Sequence, residues 1–423
     1  MIDLTFKLAM AVHFFILIWG LLRRERVYEF PFFLTAISAI FILPQAVALK
    51  HHPRYLFPES LQTVFLMIAF CIGMGFLGYR LHVNKRILLR FWKSSHVNER
   101  RLFHGGIAFV LIGYYFHWRI CGLSLDVSMT QWTGVVTIYN FFRNLIYPGF
   151  AILLLHFLKR RNVINLLLTL ISSFLPLQFI IFAGRREVTA IFLLTIGLSL
   201  YFQSGWRPHR WFVIGGLLGA MFVMPLIGIY RDITTNKAWE EIKSINFVDK
   251  FYDNLRYGES LELENAAYII QYASRTHDYQ YGADFWNSII FNFVPAQIVG
   301  KDFKEKLMLR SLQDVIDNDI RSTFNYVPTP GLTCTGIADA FLQFGYFGGL
   351  FFFFLAYFFK HLWILANQGR NLFVQVFYIQ MISPAMLTMT HNISEFPAHF
   401  IYHSIFLGFL MLYARSRQSV KFA

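Results

Sequence analysis

The sequence is short of charge. Of 423 residues only 15% are Asp, Glu, Lys or Arg, while 56% are hydrophobic. That is about ten points below the charged share of an ordinary soluble domain. A soluble globule of this composition would leave extended apolar surface in water, so a soluble fold is disfavoured, as are disordered and collagen-like chains. Cysteine is scarce as well. Cys71, Cys121 and Cys334 are scattered, which argues against a disulfide framework and a cysteine-based metal site. The chain lacks a phosphate-cradling Gly-rich loop, a His-Glu-x-x-His pair and a nucleophile elbow. Acidic residues are the rarer charge, 24 against 38 basic, for a net +14. In a soluble chain that excess suggests nucleic acid, whereas in a membrane chain it follows from the retention of basic loops on the inner side.

What is present is apolar length. A bilayer core needs roughly 20 apolar residues per helix. Runs near that length lie at 4–22, 30–49, 61–79, 102–121, 134–157, 163–182, 188–203, 211–230, 336–359, 371–389 and 400–414. They predict an all-α polytopic membrane protein with about eleven spans, ten to twelve allowing for uncertain ends. Lys7 interrupts the first run and no small-residue cleavage site follows it, so the first helix is expected to be retained. Twenty basic residues fall in alternate connections, at 23–26, 80–101, 159–161, 207–210, 360–370 and 415–421. These positions predict an outer N-terminus and an inner C-terminus. They divide the chain into spans one to eight (1–230), a large outer segment (231–335), and spans nine to eleven with a basic tail (336–423).

The outer segment holds 11 basic and 15 acidic residues, so the excess of positive charge is topological and nucleic-acid binding loses its support. A connector of this length is expected to carry function. Helical spacing predicts helices over 235–258, 259–275 and 301–321, with a Trp/Phe-rich piece at 284–300 and a Pro/Gly/Thr-rich turn at 326–336. Asp317-Asn318-Asp319 reads as a charge group at a helix end, and Asn392-Ile393-Ser394 as a chance match to a glycosylation acceptor.

A few charges break the topology rules. Arg143 lies inside the fifth run, where an arginine costs roughly 2.5–3.5 kcal/mol on insertion scales. Arg119 ends the fourth run, Arg185 and Arg186 occupy the short outer turn GRRE, and Arg231 ends the eighth run. Each alone could be a snorkelling or acid-paired side chain, with Glu187 and Asp232 as available partners. Together they point to an anion on the outer face, because planar guanidinium groups fit phosphate oxygens two at a time. Asp339, Glu395 and His391 lie at the same level and are candidates for a general base.

Three stretches carry a family resemblance: GRRE with the helix after it (184–203), FVPAQIVGKDF (293–303), and TCTGIADAFLQFGYFGG (333–349). In their order, and with the late outer segment, the chain resembles the bacterial O-antigen polymerases, the Wzy-type oligosaccharide repeat-unit polymerases. The resemblance covers about a quarter of the chain, and this chain has Asp339 where the family often has Glu. It implies a GT-C-like glycosyltransferase of the bacterial inner membrane, working at the periplasmic face on undecaprenyl-diphosphate-linked oligosaccharides. It further implies no metal or other cofactor, and a chain-length regulator as a possible partner. The resemblance assigns Arg185, Arg186 and Arg231, with Arg143 and Arg119 beside them, to the diphosphate. Asp339, Glu395 or His391 would take the acceptor proton. Lys301, Thr333, Thr335, Tyr326, Trp286 and Phe324 would contact or cover the sugars. An O-antigen ligase, acting on lipid A-core, shares the architecture. A lipid-linked-sugar transporter or flippase, or a scaffolding membrane protein, are readings of a different class. A transporter, however, predicts charges along the midplane rather than at one face.

Overall fold

In hydrocarbon the backbone N–H and C=O groups find no water, so an apolar run satisfies them within itself by coiling into a helix. A computed structural model describes the chain except residues 54–55, 87, 90–96, 125–134, 224–225, 228–229, 231–232, 234–245, 247, 250–251, 253–261, 328–332, 370 and 416–423. Among the described residues every regular element is helical, and the only strand-like pairing is the isolated bridge between Val97 and Arg415.

Nine helices among the described residues are long and apolar enough to cross a membrane, which marks a membrane protein. They are α1 (Ile2–Leu22), α2 (Phe30–His51), α3 (Pro58–Arg80), α5 (Val135–Lys159), α6 (Val163–Ala183), α7 (Arg186–Ser204), α12 (Thr335–Gln368), α13 (Leu372–Thr390) and α14 (Ile393–Ala414). Two further predicted spans also form helices. The first, α4 (Glu99–Cys121), is 23 residues long but carries His104, His117 and Arg119. The second, α8 (Arg210–Val223), has 14 residues in one described run. The long segment 231–335, expected on the outer side, contributes α9 (Glu262–Thr276), α10 (Ala283–Phe293) and α11 (Lys301–Leu307).

Two expected helices differ. The predicted span 134–157 is interrupted after Arg143, and a second helix begins at Ile146. Pro148 explains the break: it has no N–H to donate to the carbonyl of Asn144, and its ring crowds that carbonyl. Arg143 thus caps the C-terminal end of a short helix, where a cation is favoured, with its guanidinium 5.0 Å from the centre of the Phe179 ring. The predicted helix 301–321 stops at Leu307 and restarts with a capping box at Ser311 and Asp314. The amides between are drawn elsewhere: Leu309 N–H donates to Asn287 Oδ1 at 2.8 Å, and Leu312 N–H to Asp284 at 3.1 Å. The predicted helix 235–258 falls largely outside the described residues, while that at 259–275 appears as α9.

The basic connections meet at one end of the bundle. Arg207 pairs with Glu25 at 2.7 Å and Arg210 donates to the Leu22 carbonyl at 2.8 Å. Lys159 pairs with Glu99, and Asn98 N–H donates to the Ala414 carbonyl at 2.7 Å. From that end α14 runs to the other, where α10 of the 231–335 segment packs against its start. Small residues let the helices approach closely. A Cβ on Gly78 of α3 would lie 2.1 Å from the Phe353 carbonyl oxygen in α12. One on Gly73, in the same helix, would meet nothing within 4 Å. Gly78→Ala therefore forces backbone apart and is expected to cost about 1–3 kcal/mol, whereas Gly73→Ala is expected to be neutral or slightly stabilising. Thermal unfolding of the two purified variants in one detergent checks this, and equal midpoints would contradict the close approach.

Candidate functional site

The turn between α6 and α7 is built by Gly184, whose φ of 54° closes α6 in the left-handed conformation at little steric cost. Arg185 then stands extended before α7, and Arg186 and Glu187 enter its first turn. An acid is favoured at a helix N-terminus and two arginines are not. Local helix energetics therefore account for Glu187 and leave the arginines without a stabilising local role.

At this end of the bundle lies a cavity of about 720 Å³. Its walls come from α5 (Asn140, Phe141, Asn144, Tyr147), the start of α7 (Glu187, Ile191) and the end of α13 (Gln380, Pro384). The start of α14 adds Glu395, His399, Tyr402 and His403, and the connection before it adds His391 and Asn392. The outer segment covers it with Asp284, Asn287, Ser288, Phe291 and Asn292 of α10 and with 308–316. Amide side chains and aromatic rings dominate the lining. Asn140 Oδ1, Ser288 Oγ and His403 Nδ1 are buried there without a hydrogen-bond partner in the protein. Buried polar atoms are normally paired, so these three are available to a hydrogen-bonding ligand.

Three carboxylates line the cavity; Asp284 is buried and the other two are exposed. Glu395 and Glu187 are both solvent-exposed and within electrostatic range of each other. The arginines stand at its margin rather than in its lining. Arg143 and Arg185 interact electrostatically with each other and with Tyr147, Arg185 also with Glu187, and Arg186 with His391 and Glu262. Among the described residues neither Arg143 nor Arg185 is in an ion pair with an acid. Arg231 lies outside the described residues. Arg119 donates to the Tyr139 hydroxyl at 3.2 Å, and no described interaction joins it to the other arginines.

The remaining expected site residues divide. Glu395, His391 and Thr333 line the cavity. Thr333 also donates to the Thr390 carbonyl at 2.7 Å. Asp339 does not line it. It is fully enclosed, accepting from Ser394 N–H at 3.0 Å and from Gln343 at 3.1 Å, and so fixes the turn that carries Glu395. Thr335 is buried beside it, with a φ of 61° that a β-branched residue rarely adopts. Tyr326 stacks on Tyr268 at 3.8 Å and donates to Asn265, an internal packing role, and Phe324 packs on the same Tyr268 ring. Trp286 donates to the Leu307 carbonyl at 2.8 Å and Lys301 pairs with Glu305 at 3.5 Å, both away from the cavity. Asp319 is held by Arg310 and Asp317 by Gln313, a charge group as expected, but it lies in a π-helical turn (Val315–Ile320) inside a helical stretch that continues to Phe324 and not at a helix end. In the glycosylation match Ser394 is buried, and Asn392 is half-buried in the cavity wall.

Sequence reasoning passed over Asp284, Tyr147, His403 and the amide lining. A signal existed: Asn140, Asn144 and Gln380 are polar side chains within otherwise apolar runs, and His399 and His403 share a helix face four residues apart. Burial, with Arg186 nearby, pushes the His391 imidazole down to about 4, so it is neutral at neutral pH. The folded form disfavours the imidazolium. The stability that neutral His391 allows is thus complete above about 6.5 and falls as pH drops toward 4. Relative to His391→Gln, the wild-type protein is expected to lose up to roughly 3 kcal/mol over that window. Denaturant unfolding of both proteins at stepped pH measures it, and parallel curves would contradict a buried neutral imidazole.

Set against protein-family models, characterised proteins and solved structures, the chain matches none of them.

Proposed function

We propose that the protein is a GT-C-like glycosyltransferase that polymerises lipid-diphosphate-linked oligosaccharide units at the outer face of a bacterial inner membrane. The N-terminus lies outside and the C-terminus inside. The observation that carries this reading is the combination at one cavity: acids open to it, Arg143 and Arg185 at its margin outside any described ion pair, and a lining of amides and rings. Amides and aromatic faces suit the hydroxyls and apolar faces of sugars. Guanidinium groups at the margin suit a diphosphate, whose charge grows as it leaves.

The chemistry then follows from position. Glu395 removes the proton from an acceptor hydroxyl. The resulting oxygen attacks the anomeric carbon of the donor sugar, and the bond from that carbon to the diphosphate oxygen breaks. Arg185 and Arg143 stabilise the departing lipid diphosphate. Arg186 and Arg231 belong to the same outer set by their position in the sequence. Asp339, enclosed and bonded to Ser394 N–H and Gln343, supports Glu395 rather than meeting the substrate. The outer segment covers the sugars through α10.

Two outcomes are expected in cells. Glu395→Gln removes the base, and loss of a general base costs typically 10²–10⁴-fold, so the ladder of polymerised glycan should collapse to a single repeat unit at normal protein levels. Arg185→Ala should do the same, and Arg185→Lys should restore little because an ammonium lacks the planar fork. Gel analysis of the surface glycan reads both. Unchanged long ladders would overturn the assignment. Loss of the single-unit band as well would favour a ligase that transfers glycan to lipid A-core.

A further inference from the structure

The outer segment and the bundle are joined by two buried acids and one amide. Asp284, in the first turn of α10, is only 8% exposed, and Asp339, in α12, is 0% exposed. Gln343 lies between them. Its Nε2 is 2.8 Å from Gln280 Oε1, 2.9 Å from Asp284 Oδ2 and 3.1 Å from Asp339 Oδ1. The amide cannot be turned the other way, because its oxygen accepts from Gly282 N–H at 2.9 Å. An amide nitrogen carries two hydrogens, and here three oxygens compete for them.

The connections at either side give this shortage a consequence. Asp284 also accepts from Leu312 N–H at 3.1 Å, so it holds the restart of the chain after α11 against α10. Asp339 accepts from Ser394 N–H at 3.0 Å, one residue before Glu395. We propose that Asp284 is a positioning residue, coupling the seating of the outer segment on the bundle to the placement of Glu395 through Gln343 and Asp339. Only the meaning of Glu395 rests on the glycosyltransferase reading; the coupling itself does not.

When Asp284 carries a proton it no longer competes for the amide, and the two hydrogens serve Gln280 and Asp339. When it ionises, two buried acids and Gln280 compete, and the two carboxylates oppose each other. Burial, with Asp339 nearby, pushes the Asp284 carboxyl up to about 6, the direction this geometry requires. The other charged groups facing α10 are accounted for. Glu395, His399 and His403 approach from α14. Lys304 of α11 donates to the Phe291 carbonyl at 2.9 Å, and Lys301 is paired with Glu305. Asp302 and Lys306 of α11 are exposed. Arg310 is occupied by Asp278 and Asp319, and Asp314 by the Ser311 cap.

The sign is fixed. An acid whose folded value is raised stabilises the closed contact below the unfolded value, and that stability is lost as pH rises from about 4 to about 6. His391 acts oppositely over the same window, so a variant must separate them. Hydrogen exchange of the full-length protein in lipid nanodiscs, corrected for intrinsic rates, reads the amides of 281–293 and 393–396 in wild type and Asp284→Asn. The protection ratio, variant over wild type, is expected to rise about tenfold per pH unit between about 4 and about 6 and to be constant above. Both segments should move together, and Gln343→Leu should uncouple them at every pH. A flat ratio, or a change in 281–293 alone, overturns the coupling whatever a glycan assay shows. A coupled ratio in a protein without glycosyl transfer leaves the relay standing and removes the proposed function.

Discussion

Backbone satisfaction in an apolar environment is the constraint on which the rest depends. A spanning helix can be interrupted only where protein or a wet cavity supplies partners for the freed groups. Interruptions at Asn144–Leu145 in α5 and at Gly345–Gly348 in α12, and the turn at His391–Asn392 that joins α13 to α14, gather near one cavity or the network beneath it. The polar side chains follow: Asn140, Tyr147, Gln380, His399 and His403 all belong to apolar helices yet line a common space. Breaking helices and gathering polar groups are thus two aspects of one arrangement.

Charge is distributed by the same logic. At the opposite end of the bundle Lys159, Arg207 and Arg210 are exposed and engaged with nearby acids or carbonyls, where each contributes little to stability. The few at the cavity end are different in kind. Arg185 and Arg186 occupy a helix N-terminus that disfavours them, and Arg143 rests against an aromatic ring rather than an acid. Neither Arg143 nor Arg185 is in a described ion pair with an acid, and an anionic ligand would suit both.

Much of the architecture is legible in the sequence because it depends on composition over long windows. Within the described residues each of the eleven predicted apolar runs overlaps a helix, nine of them long and apolar enough to cross a membrane, and the GRRE turn stands where Gly184 places it. What was not legible depends on pairings distant in sequence. Nothing local shows that Asn287 and Asp284 would take the amides of Leu309 and Leu312 and so break the predicted helix at 301–321. Nor does the sequence distinguish Asp339 from Glu395. Both are acids at the same level, but one is enclosed by Ser394 and Gln343 while the other opens onto the cavity. The break in α5 was legible in principle, since Pro148 stands four residues after Asn144.

The central claim is that the cavity forms a glycosidic bond rather than merely holding or moving a lipid-linked glycan. Reconstituting the purified protein in liposomes with a lipid-diphosphate-linked repeat unit tests it most directly. Mass spectrometry of the products should show lipid-linked glycans two or more units long and an equivalent amount of released lipid diphosphate. Movement of the lipid-linked unit between leaflets, with no lengthening and no lipid diphosphate released, would contradict the account.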